Sequence, residues 1–93
     1  MQHQTSREAY MQYKRGGQAM RQDYDRIINC LEINPNGFTR NEIAKITGIP
    51  INRITGRINE LLEDDVLKIE GRRESQTTGY IGEIIKLNKP KQN

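Results

Sequence analysis

Thr39-Arg40-Asn41-Glu42-Ile43-Ala44-Lys45-Ile46-Thr47-Gly48-Ile49-Pro50 is the stretch on which the fold turns. Thr39 and Glu42 form a T-x-x-E capping box, in which the Thr side chain takes the N–H of Glu42 and the Glu side chain reaches back to the N–H of Thr39. The box opens a short helix carrying Ile43, Ala44 and Ile46. Gly48 stops that helix and Pro50 prevents its continuation. A longer helix follows from about residue 51 or 52 to residue 64. Its Ile54, Ile58, Leu61 and Leu62 fall at i, i+4, i+7 and i+8, which makes one apolar face. The joining turn needs a residue that tolerates positive φ, which Gly48 supplies. It also needs an apolar residue to plug the angle between the helices, which Ile49 supplies.

Upstream, Met20, Tyr24, Ile27, Ile28 and Leu31 repeat the helical spacing, with Arg21, Asp23, Asp25 and Arg26 outside the stripe. Asn34-Pro35-Asn36-Gly37 ends that helix, because proline disfavours helix in the residue before it and Asn-Gly turns the chain. Downstream of Asp64-Asp65 the period changes. Residues 66–69 and 80–87 read as strands. Residues 71–79, Gly-Arg-Arg-Glu-Ser-Gln-Thr-Thr-Gly, read as a long polar hairpin tip with glycine at both ends. Residues 1–18 read as a polar arm. Thr5-Ser6-Arg7-Glu8 is another capping box that opens a short helix over about 6–15, stopped by Gly16-Gly17. Residues 89–93 read as a basic tail.

The chain has 93 residues, of which 33% are hydrophobic and 29% charged, and thirteen of the hydrophobic residues are isoleucine. That is a lean core, enough for three helices and a hairpin in one small domain over residues 19–88. Fifteen Lys+Arg against twelve Asp+Glu give a net charge of +3 and a pI near 9.2. This balance permits a polyanionic partner without requiring one. The longest apolar runs are three or four residues, so no transmembrane helix or signal-peptide core is expected, and the expected setting is cytoplasmic. A single Cys excludes an internal disulfide, and a single Cys with a single His excludes an all-Cys/His zinc site. No cofactor and no metal are expected. Nor is catalysis, because His3 lies in the arm and Cys30 at the edge of an apolar stripe, where it reads as a packing residue.

Two helices joined by a tight glycine turn follow the logic of a helix-turn-helix, and a hairpin with a basic tip makes the winged variant. Thr39-Arg40-x-Glu42-Ile43-Ala44-x-x-Thr47-Gly48-Ile49-Pro50, then Ile54-x-x-Arg57-Ile58-x-Glu60-Leu61, then Val66-Leu67, resembles the winged helix-turn-helix family. It is similar to small phage-type versions and to MarR-like regulators, over about residues 20–88. The expected fold is therefore mainly α with a small β-hairpin: a three-helix core plus wing, with the extra short N-terminal helix. Asp64-Asp65 stands where this family commonly places a glycine, and Asp tolerates the left-handed conformation.

The resemblance implies that helix 52–64 reads the major groove of double-stranded DNA and that the wing at 71–79 contacts backbone or minor groove. On a helical wheel the face opposite the core holds Asn52, Arg53, Gly56, Asn59, Glu60 and Glu63, with Thr55 and Arg57 on the flanks. Asn suits adenine and Arg suits guanine as bidentate partners. Gly56 either admits a groove wall or lets two helices pack closely. Arg57 either touches phosphate or pairs with Glu60. In the wing, Arg72 and Arg73 suit phosphates or a narrow minor groove, and Ser75, Gln76 and Thr77 can donate to phosphate oxygens. Arg40, in the first turn of its helix, is a further phosphate candidate. Lys86, Lys89 and Lys91 extend the basic surface.

The leading expectation is a sequence-specific DNA-binding protein, a small transcriptional regulator of a phage or bacterium acting as a homodimer on a two-fold site. Tyr10, Met11, Tyr13 and Met20 form the candidate dimer surface. The alternative is a winged-helix module that binds protein, such as a phage-encoded inhibitor or adaptor. It is motivated by Glu60, Glu63, Asp64 and Asp65 clustered on one helix end and by the net −1 of residues 40–65.

Overall fold

A computed structural model describes residues 17–88. The expected helix over 6–15, its Thr5 box, the tyrosines proposed for a dimer contact and the basic tail lie outside the described residues. Helix α1 (Gln18–Ile33), helix α2 (Arg40–Thr47) and helix α3 (Ile51–Glu63) are followed by strands β1 (Leu67–Glu74) and β2 (Ile81–Leu87). The strands pair antiparallel as a two-stranded hairpin. Three helices and one hairpin are the layout expected.

The apolar stripes meet in one core. Tyr24, Ile27, Ile28 and Leu31 from α1 pack with Ile43 from α2, Ile54, Ile58 and Leu61 from α3, and Leu67 and Ile85 from the hairpin. Burying each of these aliphatic side chains contributes about 1.5–3 kcal/mol. Ile49 is buried in the turn between α2 and α3, where it plugs the angle as expected. Gly48 closes α2 with φ of 79°, and its N–H donates to the Ala44 carbonyl at 2.9 Å. Ile46 is 55% exposed because α2 buries only the side that carries Glu42 and Ile43.

Helix α3 ends in a Schellman motif built on aspartate. Asp65 takes φ of 62°, Val66 N–H donates to the Leu61 carbonyl at 2.9 Å, and Asp65 N–H donates to the Leu62 carbonyl at 3.1 Å. Leu61 and Val66 are both buried, which supplies the apolar contact that accompanies this motif. Asn88 then ties the hairpin base to the helix end, donating its side-chain amide to the carbonyls of Asp65 and Leu67.

Two readings of the hairpin are corrected. Residues 71–74 are strand, not tip, so the connecting loop shrinks to residues 75–80, closed by Ser75 N–H on the Tyr80 carbonyl at 2.8 Å. The pairing Ile69↔Ile85 is followed by Arg72↔Glu83, three steps on β1 against two on β2. Gly71, with φ of 91°, therefore marks a bulge inside a strand rather than the start of a turn. Tyr80, read as strand, stands outside β2 and is 78% exposed.

The sequence also concealed a third contact on the sheet. Phe38 pairs with Ile85 through Phe38 N–H to the Ile85 carbonyl at 3.1 Å and the reciprocal bond at 2.8 Å. The turn that delivers Phe38 is closed by Gly37 N–H on the Asn34 carbonyl. Gly37 has φ of 85°, and a Cβ there would lie 2.5 Å from the Ile85 carbonyl oxygen. Gly48 has a similar φ with nothing within 4 Å of its Cβ position. Gly37→Ala is expected to cost about 2–4 kcal/mol in urea unfolding, and Gly48→Ala about 1–2 kcal/mol, the left-handed penalty alone. Equal losses would contradict the Gly37 contact.

Candidate nucleic-acid interface

The twelve residues singled out for nucleic-acid contact fall into two groups. On α3, Asn52 and Arg53 are exposed near the helix start, and Asn59 is exposed about two turns further on. Gly56 lies between them, and a Cβ placed there would meet nothing within 4 Å. Gly56 therefore does not let two helices pack closely. It leaves the middle of this face bare. Thr55 is half-buried and donates its hydroxyl to the Ile51 carbonyl at 3.0 Å, which occupies its donor.

The arginines are less free than their exposure in sequence suggested. Arg53 Nε donates to Asp23 Oδ2 at 2.9 Å, and Nη2 donates to Oδ1 at 3.3 Å. Asp23 sits on α1 with its side chain only 9% exposed, whereas the Arg53 side chain is 49% exposed. Arg57 makes the same side-on fork with Glu60, at 2.8 and 3.0 Å. The next residue of α1, Tyr24, donates its hydroxyl to Glu60 Oε1 at 2.6 Å. Of the two readings of Arg57, the surface pair with Glu60 is the one realised. Arg40 Nη1 donates to Glu83 Oε1 on β2 at 2.7 Å, and Nη2 approaches Asn59 Oδ1 at 3.4 Å. Arg40 thus cross-links the hairpin and α3.

The hairpin group gathers on the start of α2. Arg73 Nη2 and Nη1 donate to Glu42 Oε1 and Oε2 at 2.6 and 2.7 Å. Thr39 N–H donates to Oε1 at 2.9 Å and Gln76 N–H to Oε2 at 2.8 Å. Burial pushes the Glu42 carboxyl up, but the Arg73 hydrogen bonds, the two backbone N–H groups and the Arg73 charge outweigh it and hold the group at about 2. The same pairing pushes the Arg73 guanidinium up. Ser75, expected to donate to phosphate, is buried. Its hydroxyl meets Thr39 Oγ1 at 3.2 Å and Thr77 Oγ1 at 2.9 Å, so it stitches the loop to α2 instead. Gln76 and Thr77 keep exposed side chains. Arg72 is exposed and makes no ion pair among the described residues. Lys86 is paired with Glu70, which also takes Lys68.

No protein-family model matches this chain, and no curated protein matches its sequence. Among the described residues no group of His, Cys, Asp or Glu could hold a metal ion, and no helix is long and apolar enough to cross a membrane. Cys30 is buried, and burial pushes its thiol up to about 11, which leaves little thiolate at neutral pH.

Sequence reasoning missed the carboxylates that hold these arginines. Asp23, Glu42 and Glu83 lie 30, 31 and 43 residues from their partners. No local spacing rule reaches that far. Only the Arg57–Glu60 pair, at i, i+3, carried a local signal.

The Glu42 pairing makes a pH-dependent prediction. The folded group titrates at about 2 against an ordinary 4.5, so its stabilisation is complete above about pH 4.5 and is lost as pH falls toward 2. Glu42→Gln is expected to cost about 2–3 kcal/mol at neutral pH. The gap between wild type and variant in urea unfolding should close between about pH 5 and pH 2. A gap that stays constant over that range would contradict the pairing.

Proposed function

We propose that the protein binds double-stranded DNA as a winged helix-turn-helix, with α3 entering the major groove by its N-terminal half and the 75–80 loop lying on the backbone or minor groove. The observation that carries this reading is the outer face of α3. It offers Asn52, the outward donors of Arg53 and the bare backbone at Gly56 side by side, and it has no acid in its first nine residues. Asparagine and arginine are the side chains that match adenine and guanine edges in that groove, and a glycine admits a groove wall close to the helix. The Gly48 turn and buried Ile49 set α3 against α2 in the manner of a helix-turn-helix. Arg72, Gln76 and Thr77 are exposed on the hairpin and suit phosphate oxygens.

The acidic end of α3 is compatible with this orientation. Glu60 is engaged by Arg57 and Tyr24, and the helix end that carries Glu63 and Asp64 is the end held away from the groove. A regulator of transcription in a phage or bacterium is the role that fits a module of this size. A homodimer on a two-fold site would supply the contact area that one such module lacks.

A protein partner is the second reading. It is favoured by an open cleft of about 420 Å³ lined by Phe38, Lys45, Ile46, Gln76 and Thr77, with Ile46 more than half exposed beside it.

Fluorescence anisotropy with mixed-sequence duplex DNA, at about 50 and 200 mM salt, separates the two readings. Binding is expected to weaken steeply with salt. Arg72→Ala should weaken it and reduce the logarithmic salt slope by about 1. Asn52→Ala should weaken binding, while Lys45→Ala, in the cleft, should change it little. No binding at the lower salt, or a Lys45→Ala loss equal to that of Asn52→Ala, would contradict the proposal.

A further inference from the structure

The pairing between α1 and α3 holds the Arg53 side chain along one edge and leaves the other edge exposed. A guanidinium has five N–H donors in a fixed plane. Asp23 takes the Nε donor and one Nη2 donor of Arg53 from the side. No hydrogen bond among the described residues takes Nη1, and the second Nη2 donor is likewise unused. These remaining donors lie on the far edge of the plane, and the Arg53 side chain is half exposed. The carboxylate that holds it is almost fully buried on α1 and, through the helix backbone, is part of the core element that carries Tyr24, Ile27 and Ile28.

The geometry points to Asp23 as a positioning residue for base recognition: it clamps Arg53 side-on so that the end-on Nη1/Nη2 edge is presented to the O6 and N7 of a guanine. This inference rests on the DNA-binding reading above and names the base that α3 requires. Two acceptors on one base edge match two parallel donors, and guanine is the base that shows two acceptors in the major groove. An unclamped arginine would lose rotamer freedom on binding and could turn to a phosphate instead. The clamp removes both options before DNA arrives. Arg57 is held in the same side-on manner, but its side chain is only 19% exposed, and it remains an intramolecular cross-link.

The test begins with selection of duplexes from a randomised pool by the wild-type protein. The selected duplex is then compared with copies in which each guanine in turn is replaced by adenine or by 7-deazaguanine, which keeps base pairing and removes N7. Wild type is expected to lose roughly tenfold or more in affinity at one guanine position. Asp23→Asn should lose that discrimination at the same position while keeping discrimination elsewhere, with a salt slope no shallower than that of the wild type. Arg53→Lys, which keeps the charge on an exposed site but not the fork, should do the same, and it carries the test if Asp23→Asn fails to fold. A merely structural role for Asp23 would weaken binding to all duplexes alike. Uniform weakening, or full discrimination retained in Asp23→Asn or Arg53→Lys, would overturn the inference while leaving DNA binding intact. Absence of salt-dependent binding to any duplex by the wild type would overturn the DNA reading and this inference with it.

Discussion

The Glu42 carboxylate is the point at which the helices and the hairpin are fastened together. It accepts from Thr39 N–H, from Gln76 N–H and from both terminal nitrogens of Arg73, so two oxygens receive four donors. One of these bonds completes the capping box of α2, two hold strand β1, and one holds the loop that follows it. A short helix start and a hairpin end thereby share one nearly buried charge, and leaving it unpaired would cost several kcal/mol. The Ser75 and Thr39 hydroxyls lie beside it and close the same junction. The direction in which the loop projects from the helices follows from this node, together with the Phe38–Ile85 bridge and the Arg40–Glu83 pair further along β2.

The second organising feature is how charge is distributed between structure and surface. Arg40, Arg57 and Arg73 are each spent on joining one element to another or to their own helix. Arg53 is held on one edge and open on the other. Arg72 stands clear of any ion pair among the described residues. Besides Arg53 and Arg72, the exposed Arg21 and Arg26 on α1 and Lys45 on α2 make no ion pair among the described residues, so a chain with a net charge of +3 keeps exposed cations on all three helices and on β1. The carboxylates do matching work: Asp23 and Glu60 orient guanidinium groups near the outer face of α3, and Glu42 and Glu83 secure the hairpin.

Much of the fold was legible in local pattern. The stripe from Met20 to Leu31, the Thr39–Glu42 box, the Gly48–Ile49 turn and the spacing of Ile54, Ile58 and Leu61 all specify helices through contacts within a few residues. The left-handed Asp65 could be read from the need to close α3. The hairpin was read less well, because Gly71 signals a turn and a bulge alike, and only the partner strand decides between them. Phe38 gave no sign of its bridge, since a single strand residue has no period. At the candidate site, exposure of Asn52, Arg53 and Arg72 followed from helix phase and chain position. The engagement of Arg40, Arg73 and Ser75 did not, because each depends on a partner that lies far away in sequence and close only after folding.

The N-terminal half of α3 and the 75–80 loop are proposed to form one DNA-facing surface. The most direct test is to map backbone amide shifts of the labelled protein by nuclear magnetic resonance as duplex DNA is added at low salt. Shifts are expected to concentrate at Asn52, Arg53, Gly56, Gln76 and Thr77, with the Lys45 and Ile46 side of α2 unmoved. Shifts confined to Phe38, Lys45 and Ile46, or none at all, would contradict the proposal.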